Sequence, residues 1–389
     1  MRFLILDTGY PKFLSWLYDR NPGLEKKSYE TQAAARMETL FGQAAFYADS
    51  LRKLGHQAWD IEANNEFMQK AWAREHGLPV SRGRRWEARL RKGFVPWLSA
   101  VNDQTWLYEI LAAQIKYYKP HVLVNYAMLL RSAFFRELKP YVRLLVGNHG
   151  APLPGGNDFG LAPYDLVLSV VDNLVDYFRN HGKKSELLRL GFEPAVLERL
   201  SNPRPDVPVS FVGNLYSCHT SRMRWLEFVA QNVPVRVFTA SADGIPNESP
   251  MLRYREDAVW GRQMYETLKR SELTLNHHVD IAEDYAGNAR LFEATGVGTL
   301  LVTDWKKNLH EMFEPGKEVV AYRTPEECVE MIRHYLEHED ERRAIARAGQ
   351  QRTLRDHTCR HRMEELVTIV ERYLRPATSG VGIASALQT

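Results

Sequence analysis

Short apolar runs alternate along this chain with longer stretches of helical periodicity, the pattern of a parallel sheet covered by helices on both faces. Arg2–Leu6 reads as a first strand that ends in the polar turn Asp7-Thr8-Gly9. A helical segment over Tyr29–Leu54 follows and stops at Gly55, a residue suited to the left-handed geometry that closes helices. Ala58–Ile61, His121–Asn125, Val142–Gly147 and Leu166–Val170 are the next strand candidates.

Between Ser201 and Pro208 the chain reads SNPRPDVP. Prolines fix their own φ and bias the preceding residue away from helix, which marks this stretch as a linker. Beyond it the alternation restarts, with strands expected at Val209–Val212, Val235–Thr239, Leu273–Asn276, Gly298–Thr303 and Glu318–Tyr322. Two α/β domains are expected, over residues 1–203 and 209–355. Thr324-Pro325-Glu326-Glu327 places a capping threonine before a proline at the first helical position, and Glu327 completes a capping box. Helices should run from there to about His338 and onward from Asp340. The last stretch, 376–389, is rich in Ala, Ser and Gly without periodicity and reads as a mobile tail.

Length agrees with this division, since 389 residues make two or three domains of ~150 each. Charged residues are 25% and the apolar set 44%, the balance of a globular protein rather than a fibre or a disordered tail. A net charge of +3 argues against an overall nucleic-acid binder. No run approaches the ~18–20 apolar residues of a membrane helix. The start MRFLILDTGY reaches Asp7 too soon for a signal-peptide core. Cys218, Cys328 and Cys359 are far apart and odd in number, which fits a reducing, cytoplasmic setting without a disulfide framework or structural zinc.

Candidate chemistry concentrates in LNHHVDIAEDYAGNARLFEATGVGTLLVTD, Leu275 to Asp304. A strand ends at Asn276-His277-His278, and Gly287-Asn288 opens a short helix, Ala289–Thr295, with Asn288 expected as its cap. Free amides at a helix start attract anions. Glu293, deeper along the helix, is placed to accept both hydroxyls of a ribose whose diphosphate sits at the amino end. The plainer alternative has Asn288 as a cap only and Glu293 paired with Arg290 at i,i+3 on a solvated face.

The run NARLFEATGVGTLLVTD, followed by LHEMFEPGKEVVAY, the TPEE helix start and HTCRHR, resembles the C-terminal domain of CgeB-like (spore maturation protein type) glycosyltransferases over about Gly261–Arg362. Weaker similarity reaches FVGN at Phe211–Asn214, and LDTGYPKFL, SYETQ and LRKLGH look like the N-terminal region that accompanies this domain. The resemblance implies a GT-B fold: two Rossmann-like doubly wound domains facing a cleft, with a C-terminal helix (356–375) crossing back to the first. It implies a nucleotide-diphosphate sugar donor on the second domain and a glycan, protein or small-molecule acceptor on the first, with no metal and no cofactor. Asn288, Arg290 and Glu293 match the family's N-x-R-x-x-E pattern, and Gly213 and Asn214 would lie near the diphosphate. The first glutamate of the family's usual pair is absent at Tyr285, with Glu283 and Asp284 close by.

Other groups remain. His277-His278-x-Asp280 resembles a metal cluster, but adjacent histidines on an extended segment point to opposite faces, so one of them is expected to face the donor instead. Asp7 and His149, each at the end of a strand, are candidate bases for the acceptor hydroxyl, with Tyr10 lining the same cleft. Arg82–Lys92 (RGRRWEARLRK) reads as a solvated helix face, with an anionic membrane surface or acidic acceptor as the alternative partner and nucleic acid disfavoured. Cys218 lacks any visible partner that would make it a nucleophile. Two further functions stay open: a sugar-nucleotide epimerase or hydrolase on the same fold, and a non-catalytic nucleotide-sugar or glycan-binding subunit.

Overall fold

The computed structural model describes residues 1–81, 84–91, 95–102, 104–126, 130–150, 160–215, 219–242 and 245–375. Its strands are β1 (Arg2–Asp7), β2 (Gln57–Glu62), β3 (Arg84–Arg91), β4 (Val95–Asn102), β5 (Val122–Asn125), β6 (Leu144–Asn148), β7 (Leu166–Ser169), β8 (Ser185–Leu187), β9 (Val207–Val212), β10 (Arg236–Phe238), β11 (Arg255–Glu256), β12 (Ser271–Asn276), β13 (Leu300–Asp304) and β14 (Val320–Tyr322). Two six-stranded parallel sheets result, in the orders β2-β1-β5-β6-β7-β8 and β11-β10-β9-β12-β13-β14.

Strands buried on both faces need side chains for two cores, and the alternation supplies them. Phe3 and Ile5 of β1 pack with Ala44, Tyr47 and Leu51 on one side, while Leu4 and Leu6 meet Ile110, Leu111 and Phe135 on the other. In the second sheet Phe211, Leu273 and Val302 share a cluster with Trp225, Val229 and Ile332.

The C-terminal helix Cys359–Leu374 packs on the first-domain helix Gln43–Lys53, as the crossing helix of this architecture should. Cys359, Met363, Leu366 and Val370 are buried in the same cluster as Phe3 and Tyr47. A capping box of Thr358 and His361 starts the helix, and Phe192 fixes it by donating to His357 O and accepting from Cys359 N, both at 2.8 Å. The Thr324 cap also forms, its side chain accepting from Glu327 N.

Several expectations change. The helix expected over Tyr29–Leu54 is two, Tyr29–Glu38 and Gln43–Lys53. Between them Leu40 and Gly42 take φ of 57° and 100°, left-handed values that end one helix before the next starts. Asn288 is not the cap of the following helix: Ala289 holds that position and the helix spans Arg290–Gly296. The basic run is not a helix, because Arg84–Arg91 pairs antiparallel with Val95–Asn102; the flanking Arg82, Gly83 and Lys92 lie outside the described residues, as do Cys218 and 376–389. β8 and β11 are too short to show a period.

Candidate functional site

In an open parallel sheet, ligands gather where the strand order reverses, beyond the carboxyl ends. In the first sheet that place lies beyond β1, at Asp7; in the second it lies between β9 and β12, at Gly213 and Asn276. Both ends open into one cavity of ≈ 870 Å³ between the domains, lined by Asp7, Gly213, Asn214, Asn276, Asn288, Arg290 and Glu293 among others. Seven of the ten expected site residues are therefore gathered in one space.

On the first-domain side, Asp7 Oδ1 accepts from Thr8 N at 2.8 Å. Burial pushes its carboxyl up to about 6, with the Thr8 N–H opposing and Glu62 reinforcing the shift. Glu62, opposite Asp7 in the β1–β2 register, is itself buried and raised by desolvation, and accepts from Asn65 Nδ2 at 2.9 Å. Tyr10 is exposed at the rim, its ring 6.1 Å from Phe41 and 6.0 Å from Trp260. Trp260 comes from the second domain and closes against Phe41 at 5.3 Å, so this aromatic group is where the domains meet.

On the second-domain side, Asn276 and Asn288 hold each other through their side-chain amides, with Asn288 Nδ2 donating to Asn276 Oδ1 at 2.6 Å. Arg290 donates to Val212 O at 3.0 Å and pairs with Glu293 Oε2 at 3.0 Å. The plain pairing of Glu293 with Arg290 thus holds, but not on a solvated face: the two side chains are 17% and 13% exposed and line the cavity. Arg222, in the helix Thr220–Asn232, also lines it and donates from Nε and Nη2 to His277 O at 2.9 and 2.7 Å.

The histidines lie elsewhere. His277 stacks on Trp225 at 4.8 Å, contacts the Tyr322 hydroxyl through Nδ1 at 3.0 Å, and lines a separate cavity of ≈ 700 Å³; burial pushes its imidazole down to about 4. His278 is buried with Nδ1 2.7 Å from Asp304 Oδ1. Burial opposes the Asp304 charge, yet His278, His277 and Lys306 hold its carboxyl well below the usual range. Asp280 is bound by Thr220 and Ser221. Among the described residues no group of three His, Cys, Asp or Glu side chains is placed to hold a metal ion. His149 donates from its backbone N to Leu168 O, stacks on Phe178 at 5.9 Å, and is not among the residues lining the interdomain cavity. Near the absent first glutamate, Glu283 accepts from Asn173 of the first domain and Asp284 pairs with Lys307; neither lines the cavity.

Sequence reasoning missed Arg222, Glu62 and Trp260. Glu62 ends its strand, as Asp7 does, and was legible by the rule that selected Asp7; Arg222 stands in the first turn of the helix after Gly213-Asn214. Trp260 carried no such signal, since its partners are distant in sequence.

Residues 196–368 match the family model described as glycosyl transferase-like. No curated protein sequence matches the chain. Solved structures of the same fold include HepE of Anabaena in complex with UDP-glucose (12% identity, 96% of this chain and 100% of that one, TM-score 0.61). A glycosyltransferase of Rickettsia africae is similar (12%, 97% and 99%, 0.57). So is the pneumococcal O-GlcNAc transferase GtfA in complex with UDP and GlcNAc (10%, 97% and 99%, 0.55). No helix among the described residues is long and apolar enough to cross a membrane.

Proposed function

We propose that this chain, which has the GT-B fold and matches a glycosyl transferase-like family model over residues 196–368, is a glycosyltransferase that transfers a sugar from a nucleoside-diphosphate donor, held by the second domain, to an acceptor hydroxyl held by the first. The observation that carries this reading is an interdomain cavity with two guanidinium groups on one wall and a carboxyl of raised pKa on the other. That complexes with UDP-glucose, and with UDP and GlcNAc, exist for proteins of the same fold supports the donor class.

In this reading Arg222 and Arg290 face the diphosphate and stabilise the charge that develops as it leaves. Burial disfavours the Arg222 cation, so an incoming anion gains more there than in water. Glu293 turns from Arg290 toward the ribose hydroxyls, and Gly213 and Asn214 admit the diphosphate beside β9. Asp7 takes the proton from the acceptor hydroxyl as its oxygen bonds to the anomeric carbon and the diphosphate oxygen departs. His277 and His278 act through what they hold, His277 by its carbonyl on Arg222; His149 takes no part. The reading needs no metal ion, since the two arginines supply the charge. NARLFEATGVGTLLVTD supports the CgeB-like branch, and the buried free thiols of Cys328 and Cys359 support a cytoplasmic setting. The charge of Arg82–Lys92 supports peripheral contact with an anionic surface, which flotation with anionic against neutral vesicles checks.

Calorimetry against UDP, GDP, dTDP and CDP is the test of the donor assignment: at least one binds, and Glu293→Ala weakens it. Binding of none overturns the reading. Incubation of the donor alone separates a transferase from an epimerase or hydrolase, which forms product without acceptor.

A further inference from the structure

Among the described residues, both cations that line the interdomain cavity, Arg222 and Arg290, come from the second domain. The first domain lines it with two carboxyls, Asp7 and Glu62, and no lysine, arginine or histidine. Glu62 is 5% exposed. Its Oε2 takes the Asn65 amide, while Oε1 lies over Gly9, 2.6 Å from where a β-carbon would stand at that residue. Glycine is what leaves this carboxyl open to the cavity.

The nearest cation is already committed. Arg36, 4% exposed behind the wall, is bound in an ion pair to Asp60. Asp7, Asp60 and Glu62 all act on that one guanidinium or on each other, so three carboxyls surround a single positive charge. Excess negative charge in a desolvated place is met by a proton or by a cation. The raised pKa values of Asp7 and Glu62 are the first remedy. A ligand ammonium is the second, and it keeps Asp7 ionised, the form that a base needs. The Asn64 amide, which donates to Gly9 O and accepts from Gly9 N, holds the Gly9 turn beside Glu62, and Gln104 and Tyr126 line the same cavity.

We propose that the acceptor is an amine-bearing sugar whose ammonium group sits against Glu62 and Asp7. This deepens the transferase reading and rests on it. A phosphorylated or carboxylated acceptor would bring a further anion to a wall that, among the described residues, is lined by no lysine, arginine or histidine. A neutral sugar would leave the excess charge uncompensated.

The test is equilibrium binding of glucosamine, glucose and glucose 6-phosphate to the UDP-saturated protein near neutral pH. Glucosamine is expected to bind about tenfold more tightly than glucose, the equivalent of one charge-assisted hydrogen bond, and glucose 6-phosphate most weakly. Glu62→Gln should erase the preference for glucosamine while leaving UDP affinity unchanged. Should that variant fail to fold, Glu62→Asp, which keeps the charge, is expected to retain the preference in part. Equal binding of the three sugars, tighter binding of glucose 6-phosphate, or binding of none overturns the proposal. The UDP titration that precedes each measurement separates the two failures: absent UDP binding strikes the donor reading, whereas UDP binding without discrimination strikes only this one.

Discussion

The two walls of the interdomain cavity are built in different ways. The amide and charged side chains of the second-domain wall come chiefly from one stretch of chain, Asn276 to Glu293, with Asn214 and Arg222 added from the β9 end and the helix after it, while Phe238 and the Ala258–Tyr265 segment supply its apolar part. The first-domain wall is assembled from separate pieces: Asp7 at the end of β1, Glu62 at the end of β2, Leu40–Gly42 between two helices, Gln104 and Tyr108 at a helix start, and Tyr126 after β5. A contiguous stretch fixes its polar geometry locally, as the Asn276–Asn288 and Arg290–Glu293 pairs do. An assembled wall depends on the whole sheet, and here it carries buried carboxyls with pKa values pushed upward. Binding of a charged donor falls to the first kind of wall, and proton transfer to the second.

The sharpest way to break this division is Asp7→Asn. If proton transfer belongs to the first wall, UDP release in the presence of acceptor falls by about a thousandfold. UDP affinity stays within a factor of about two. A rate that survives the substitution moves the base off this wall.

Next in size is the joint that sets the walls opposite each other. Gly261 has φ of 50°, and a β-carbon there would stand 1.9 Å from Thr39 O, which also accepts from Arg262 N at 2.6 Å. Only glycine combines that backbone with that approach. Gly261→Ala is expected to cost about 3 kcal/mol in thermal or urea unfolding, by forcing the second domain away from the Thr39–Gly42 turn. A loss below about 0.5 kcal/mol would mean that the walls do not depend on this contact.

These two positions show what was legible in the sequence. The two parallel sheets and the strand ends followed from apolar periodicity, because strands buried on both faces appear as short apolar runs whatever their partners. Asn276, Asn288, Arg290 and Glu293 were found together because they are close in sequence, and the cavity gathers them. The break at Leu40–Gly42 was not visible: the apolar spacing continues through it, and only the tertiary contact with Gly261 and Trp260 gives the turn its purpose. Asn288 looked like a cap by residue type, but its amide is taken by Asn276, a pairing across β12 that no local rule foresees. His277 and His278 drew attention by chemistry, yet the alternation of an extended segment sent one to Trp225 and Tyr322 and the other to Asp304.

A smaller effect sharpens the role of the contiguous wall. Glu293→Gln keeps the size of the side chain but removes the charge that now pairs with Arg290 and would turn to the ribose. UDP affinity is expected to fall by about thirtyfold, about 2 kcal/mol. The Glu62→Gln variant serves as the counterpart, since the same change on the opposite wall should leave UDP binding intact. Equal losses in both would show that the walls are not specialised.

The smallest expected effect tests whether the first wall keeps its carboxyl at a cost to folding. Asp7 ionises at about 6 in the folded chain, above the ordinary 3.8, because burial disfavours its charge. Between those values the folded protein holds a proton that the unfolded chain has released. Stability therefore falls as pH rises through this window and levels off above about pH 6. Glu62, raised for the same reason, adds a slope of the same sign. Asp7→Asn removes the Asp7 share: unfolding near pH 8 should show the variant more stable by about 1–2 kcal/mol, with the difference vanishing near pH 4. Activity of the unaltered protein should run the other way, rising through about pH 6 as Asp7 becomes the free base. A variant that gains stability at high pH while losing turnover identifies a charge retained for chemistry. One that loses both would make Asp7 a structural carboxylate of the β1 turn.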